Sequence, residues 1–222
     1  MRKTLQKLGS ALLCLTACIG LFTGCGSSKN VELTLKINDT SFNFQNTIQD
    51  IYDAGFVICD TAYGKITPEE DLPDMEARTV DTISQYYIGL PTSDTMADFT
   101  GVTIMIYNPT SSDCSFKECS IFNYTYEIEP DDSADITVLF NDVDFSTLNH
   151  EEGVTAMENM GITFDEEDKT EFLDSATNDG YGWSLITSSG KYRYSLSRDQ
   201  DTNGSLFIDE VSFEKKLDID YE

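Results

Sequence analysis

Two stretches decide the reading of this chain: "LTLKINDTSFNF", Leu33 to Phe44, and "ITVLFNDVDFST", Ile136 to Thr147. In each, apolar residues alternate up to an Asn-Asp pair, two residues follow, and then a Phe. The pairs are Asn38-Asp39 before Phe42 and Asn141-Asp142 before Phe145. Alternation predicts a half-buried strand, and Asn-Asp predicts a turn into the next extended piece. Self-similarity at such spacing is read as a faint internal repeat.

Working outward, each stretch is followed by a short helical pattern. In the first copy Asn46 is the expected N-cap, Ile48, Ile51 and Tyr52 share a face, and Gly55 ends the helix. In the second, Asn149 is the N-cap with Glu152 three residues on, similar to a capping box. Val154, Met157 and Met160 follow, and Gly161 stops the helix. The endings "DAGFVI" and "NMGITF" match. A variable acidic segment comes next in each copy, and then runs with period-two apolar spacing. In the first copy these are "TVDTISQYYIGL", "GVTIMIYN" and "CSIFNYTYEI"; in the second, "YGWSLIT", "GKYRYSLS" and "SLFIDEVSFE". The expected fold class is therefore α+β: two tandem lobes, residues 31–130 and 135–222, each a short helix packed on a small antiparallel sheet. "EPDDSAD", Glu129 to Asp135, is the expected boundary.

The first thirty residues read as export machinery. Arg2, Lys3 and Lys7 precede an apolar run from Leu8 to Phe22, and small and polar residues follow. "LFTGC" resembles a bacterial lipobox, which implies a signal peptide over residues 1–24, lipidation of Cys25 and a tether over 25–30. "LTAC", ending at Cys18, is a rival cleavage site. An uncleaved membrane helix is a further alternative, although the run is shorter than the ~20 residues that span a bilayer. The expected location is the outer face of the cell membrane.

The chain carries 40 acidic and 14 basic residues, a net charge of −26. Removal of residues 1–24 takes three bases and no acid, which leaves 11 bases against 40 acids and a charge of −29. Such a field repels nucleic acid phosphates and anionic head groups, so neither is an expected partner. With 40% apolar residues, 13 Phe and 11 Tyr, the chain has enough apolar mass for a core.

The organisation from residue 31 to 216 resembles the small tandem-repeat surface lipoproteins of Gram-positive gut bacteria. More distantly it resembles the helix-plus-sheet repeat of β-lactamase inhibitor protein and of small outer-membrane assembly lipoproteins. The resemblance implies the repeat architecture and carries over no catalytic or contact residue.

One motif points at a chemistry. "DQDTNGSLFIDE", Asp199 to Glu210, fits the calcium loop D-x-[DN]-x-[DN]-G-x₅-E, with Asp199, Asp201, Asn203 and Glu210 as the ligand set. The preceding "KYRYSLS" reads as a strand, so the entering helix of an EF-hand is missing. The competing reading is a polar hairpin turn. If Leu206 to Glu210 continues as a strand, Glu210 lies about 13 Å from Leu206, away from a tip-bound ion. No cofactor is expected, and calcium is the one ion the pattern would admit.

Other candidates are weaker. Cys59, Cys114 and Cys119 are an odd set; Cys114 and Cys119 flank "SFKE" and can close a small ring, or all three are buried thiols. His150, the one histidine, reads as a first-turn surface residue, with no Ser or carboxylate signature of a triad around it. Tyr181 and Trp183 offer an aromatic platform or begin a strand. No phosphate loop, H-E-x-x-H or G-x-S-x-G is present. The expected function is a non-enzymatic binding or scaffold lipoprotein with an envelope or extracellular protein partner; the alternative is a low-affinity calcium- or glycan-binding surface protein.

Overall fold

The computed structural model describes residues 31–60, 64–67, 72–81, 84–92, 99–128, 136–174, 183–200 and 204–218. Residues 1–30, with Cys25 and both lipobox readings, lie outside that set, as do the 129–135 boundary, Tyr181, Asp201 and Asn203.

Strands dominate. Eleven occur among the described residues: β1 (Leu35–Ile37), β2 (Thr40–Phe42), β3 (Val57–Asp60), β4 (Gly64–Ile66), β5 (Tyr86–Gly89), β6 (Phe99–Tyr107), β7 (Ser120–Glu127), β8 (Val138–Phe140), β9 (Trp183–Ser189), β10 (Tyr192–Gln200) and β11 (Leu206–Lys215). Three α-helices accompany them: α1 (Ile48–Asp53), α2 (His150–Asn159) and α3 (Glu166–Asp174). Eight strands form one antiparallel sheet in the order β4-β3-β5-β6-β7-β11-β10-β9, and three form a small sheet, β2-β1-β8. The expected class of two tandem helix-on-sheet α+β lobes is thereby overturned: the protein is mostly β, built on two sheets that each take strands from both halves. The physical reason is edge pairing. A three-strand meander ends in an open edge of unpaired N–H and C=O groups. Here the last strands of the two meanders, β7 and β11, satisfy each other from Glu127↔Glu210 to Asn123↔Glu214. β1 and β8 do the same in the small sheet.

The β1–β8 seam shows why the Asn-Asp stretches matter. Asn38 and Asn141 stand at φ 54° and 49°, a left-handed conformation that Asn tolerates better than most residues. Asn38 N donates to Thr137 O (2.7 Å), and Asn38 Oδ1 accepts from Thr137 N (3.0 Å). In return, Asn141 N donates to Thr34 O (2.7 Å), and Asn141 Oδ1 accepts from Thr34 N (2.7 Å). Each Asn therefore closes the ladder at the start of the opposite stretch, in a local two-fold arrangement centred on the Lys36↔Leu139 pair. An ion pair between Lys36 and Asp142 spans the same seam. After the turn the stretches diverge. Thr40–Phe42 returns as β2, whereas the second makes a single Phe140↔Val143 bridge and a 3-10 turn at Phe145–Thr147.

The helices follow, with one shift of register. Thr47, not Asn46, caps α1, in a capping box with Asp50; Asn149 caps α2 with Glu152, as expected. Both helices end in the same way. Gly55 (φ 87°) N donates to Tyr52 O and Phe56 N to Ile51 O; Gly161 (φ 92°) N donates to Glu158 O and Ile162 N to Met157 O. These are Schellman ends with buried apolar contacts, and a side chain at either glycine would be strained. The β3–β4 hairpin and α3 lie in or beside the acidic segments and were not expected there.

The small sheet and helices cover one face of the large sheet. One row crosses all eight strands on that face: Gly64, Asp60, Tyr86, Ile104, Tyr124, Phe213, Tyr194 and Thr187. Phe140 of β8 stacks on Phe213 at 5.0 Å, with Tyr194 edge-on to the same ring at 5.2 Å. The tyrosine hydroxyls reach the covering layer: Tyr124 donates to Asn43 O (3.0 Å) and Tyr194 to Val31 O (3.0 Å). α2 comes close because Gly153 has no side chain; a Cβ there would sit 2.9 Å from Ile208 Cδ1.

Asn38→Ala or Asn141→Ala should lower unfolding stability by about 2 kcal/mol, roughly half from a lost hydrogen bond and half from left-handed strain. Asn→Gly at either site should lose only the hydrogen-bond share. Urea denaturation measures both; equal losses for Ala and Gly would show that the backbone conformation contributes nothing.

Candidate functional site: the outer face of the large sheet

Side chains alternate along a strand, so the row beside the aromatic one points the other way. It too crosses every strand: Lys65, Cys59, Tyr87, Thr103, Thr125, Ser212, Ser195 and Ile186. The small sheet and helices join the core on the opposite side; on this side Cys59, Thr103, Asn123 and Ser197 are themselves buried, while Thr125, Ser195 and Ile186 are at least partly exposed. Seven strand spacings of about 4.8 Å make it roughly 34 Å wide, and central strands of eight to ten residues run about 26–33 Å.

The middle of the face is a hydroxyl and amide network. Asn123 Nδ2 donates to Ser212 Oγ (3.0 Å), Thr125 Oγ1 donates to Asn123 Oδ1 (3.0 Å), and the Thr125 and Ser212 hydroxyls are 3.0 Å apart. One strand further on, the Ser184 and Ser197 hydroxyls are 2.7 Å apart. Each hydroxyl offers a donor and two acceptor lone pairs, so the network keeps capacity for a partner after satisfying itself. Beside it lies a shallow hollow of about 180 Å³ lined by Ile186, Arg193, Ser195, Glu210, Ser212 and Glu214. Arg193 and Glu214 approach to 3.9 Å across it. Ile186, 42% exposed, is the large apolar side chain that stands out among the described residues.

Carboxylates flank the network. Glu210 faces Glu127 directly across the β7–β11 seam, a like-charge pair that costs stability. Burial pushes the Glu210 carboxyl up from its ordinary value, and the Asp209 and Glu127 charges push the same way. Asp209 is also raised, chiefly by burial, with Asp199 adding. The ladder passes from Glu210↔Ser197 to Ile208↔Arg198, so Asp209 is bulged out of register. That bulge decides which way Glu210 points. Ile208 is buried under α2, and without the extra residue Glu210, two positions on, would face inward with it.

Of the residues singled out in the sequence, Cys114 and Cys119 are brought together, with sulfurs 3.8 Å apart. Asp199 is the penultimate residue of β10, opposite Phe207, and Glu210 sits within β11 beside the Asp209 bulge. With Asp201 and Asn203 outside the described residues, no group of three or more His, Cys, Asp or Glu side chains suited to a metal ion occurs among the described ones. His150 starts α2, but it is no simple surface residue: its ring lies against Phe172 at 6.5 Å. Trp183 begins β9 opposite Arg198. Cys59, Cys114 and Cys119 are all buried. Sequence reading missed the hydroxyl face itself. The signal was there in "SIFNYTYE", "YRYSLS" and "LFIDEVSFE", where small polar residues alternate with apolar ones, but only the pairing of β7 with β11 brings Asn123, Thr125 and Ser212 together.

No protein-family model, curated protein or solved structure matches the chain.

A raised folded carboxyl holds its proton to higher pH than the unfolded one. The stability it brings is complete below the ordinary Glu range and is lost as pH rises through the folded value. Glu210→Gln should therefore melt about 2–4 °C above the wild type at pH 7–8, with the gap closing by about pH 4. Scanning calorimetry across pH checks this; identical melting of the two proteins at pH 7 and pH 4 would contradict it.

Proposed function

We propose that this chain is a lipid-anchored binding protein of the cell surface, not an enzyme, which receives a protein partner on the outer face of its eight-stranded sheet. The observation that carries the reading is that face of the eight-stranded sheet: a hydroxyl and amide network on β7 and β11, with a further hydroxyl pair on β9 and β10, on the side away from the small sheet. Its extent is on the scale of the roughly 800 Å² that each side of a standard interface contributes. A centre of Thr, Ser and Asn, with Ile186 and Tyr87 toward its ends, gives adaptable polar contacts beside apolar anchors.

The chemistry of the partner follows from charge. Glu127, Glu210 and Glu214 lie on or beside the face, and the whole chain carries −26. A surface bearing Lys and Arg complements them, would be steered in at low salt, and would relieve the Glu127–Glu210 repulsion on docking. The thiol in its row, Cys59, is buried and its pKa is raised, chiefly by burial and further by Asp60, which disfavours the nucleophilic thiolate.

Surface placement is supported by the basic start at Arg2, Lys3 and Lys7, the apolar run to Phe22 and the lipobox-like "FTGC" ending at Cys25. Among the described residues no helix is long and apolar enough to cross a membrane. Such a protein would be held at the outer membrane surface by acyl chains on Cys25, with residues 26–30 as tether.

Two experiments test the reading. Cys25→Ala should abolish metabolic labelling with palmitate; labelling that survives there and disappears in Cys18→Ala would move the anchor. A photo-crosslinking residue at Ser195 should yield adducts through Lys- or Arg-bearing peptides that weaken as salt rises, while one at Thr155, on the exposed side of α2, should not. Thr125→Arg with Ser195→Arg should remove the adducts with melting unchanged within a few degrees. Adducts of equal yield from Thr155 would sink the proposed face.

A further inference from the structure

Three sulfur atoms converge just before β7, beside Tyr86 and Ile106 of the large sheet. Cys114 forms an isolated antiparallel bridge with Met75, with N–O distances of 2.8 and 3.0 Å. A 3-10 turn, Phe116–Glu118, follows, held by a Ser115–Glu118 capping box, and delivers Cys119 as its C-cap. Cys119 Sγ then lies 3.8 Å from Cys114 Sγ and 3.4 Å from Met75 Sδ. Cys119 is fully buried at the floor of a cleft of about 300 Å³, shared with Met75, Asp81, Tyr86, Ile106 and Phe116.

We propose that Cys114 and Cys119 are a modification site: they join in a disulfide that closes the six-residue ring Cys114–Cys119 and staples the 3-10 turn to β7. The sulfurs already touch. Bonding needs them about 2.05 Å apart, and the six-residue ring between them is short enough to bring them there. The surroundings select this product over the other that three sulfurs suggest, a soft metal ion. Burial raises both thiols. The charges of Glu118, Asp74 and Asp113 add at Cys114, and those of Asp81 and Glu118 at Cys119. A monovalent metal held by two thiolates and the Met75 thioether would bury a net negative charge among those acids, whereas a disulfide is neutral.

The oxidant is a disulfide donor, a small molecule or a thiol oxidoreductase. Cys114, 8% exposed against 0% for Cys119, loses its proton and attacks one donor sulfur. The donor S–S bond breaks, and one donor thiolate leaves and is protonated. Cys119, deprotonated in turn, attacks Cys114 Sγ of the mixed disulfide. The Cys114–Cys119 bond forms and the second donor thiol departs. The protein loses two electrons and two protons, and the donor gains them.

The assay uses detergent-solubilised full-length chain and oxidised glutathione, so it does not depend on where the protein resides. After treatment at pH 8, the chain is unfolded in alkylating agent and digested with trypsin. Cleavage after Lys117 separates the two cysteines, so peptides 79–117 and 118–169 should stay linked until reduced, with Cys59 alkylated. The oxidised protein should melt about 4–8 °C above the reduced one. Cys114→Ser with Cys119→Ser should lose that response. Cys119→Ser alone should retain glutathione on Cys114. Alkylation of both Cys114 and Cys119 after oxidant treatment, or a link from either to Cys59, would overturn the proposal.

Discussion

Four hydrogen bonds at one seam fix how the halves of this chain meet. Asn38 and Asn141 each use a backbone N–H and a side-chain oxygen to grip the backbone of a threonine in the opposite stretch. A one-residue slip of β1 against β8 would break all four and turn Leu35, Ile37, Val138 and Phe140 from the core toward solvent, since side chains alternate along a strand. Phe140 could then no longer stack on Phe213, and the covering layer would lose its contact with the large sheet. The β7–β11 pairing forms the second seam between the halves.

The two faces of the large sheet are solved by different physics. The inner row of Tyr, Ile and Phe is held by apolar burial, with tyrosine hydroxyls matched to backbone carbonyls of the layer above. On the outer face, hydroxyls and amides satisfy one another in the plane of the sheet. Such an arrangement presents polar groups without exposing a broad apolar patch. The Glu127–Glu210 pair, like charges facing each other across the seam, runs against stability.

Local signals in the sequence were legible. The Asn-Asp turns, the Asn149 cap, the helix-ending Gly55 and Gly161 and the six meander strands each follow from short-range chemistry. What could not be read is which edges join. The β7–β11 pairing depends on the complementarity of two finished meanders, and nothing within either strand marks its partner. Alternation also fails at bulges. Ile121 and Tyr124 both face the core although an odd spacing separates them, because the ladder shifts between Met105 and Ile106. The Asp209 bulge likewise turns Glu210 outward. At the Asp199 motif the structure describes Asp199 and Glu210, both in strands, while Asp201 and Asn203 lie outside the described residues.

The two seams also dictate an order of events in time. Leu35 pairs with Phe140, about a hundred residues later in the chain. At a synthesis rate of 5–20 residues per second, β1 waits roughly 5–20 s for its neighbour to emerge, and β7 waits comparably for β11. Throughout that interval the first half holds apolar strands with unpaired edges and no lid over its aromatic row. Long-range strand pairing is intrinsically slow. A nascent chain of this design is therefore at greatest risk of aggregation when half made, and its net charge of −26 opposes association between such unfinished molecules.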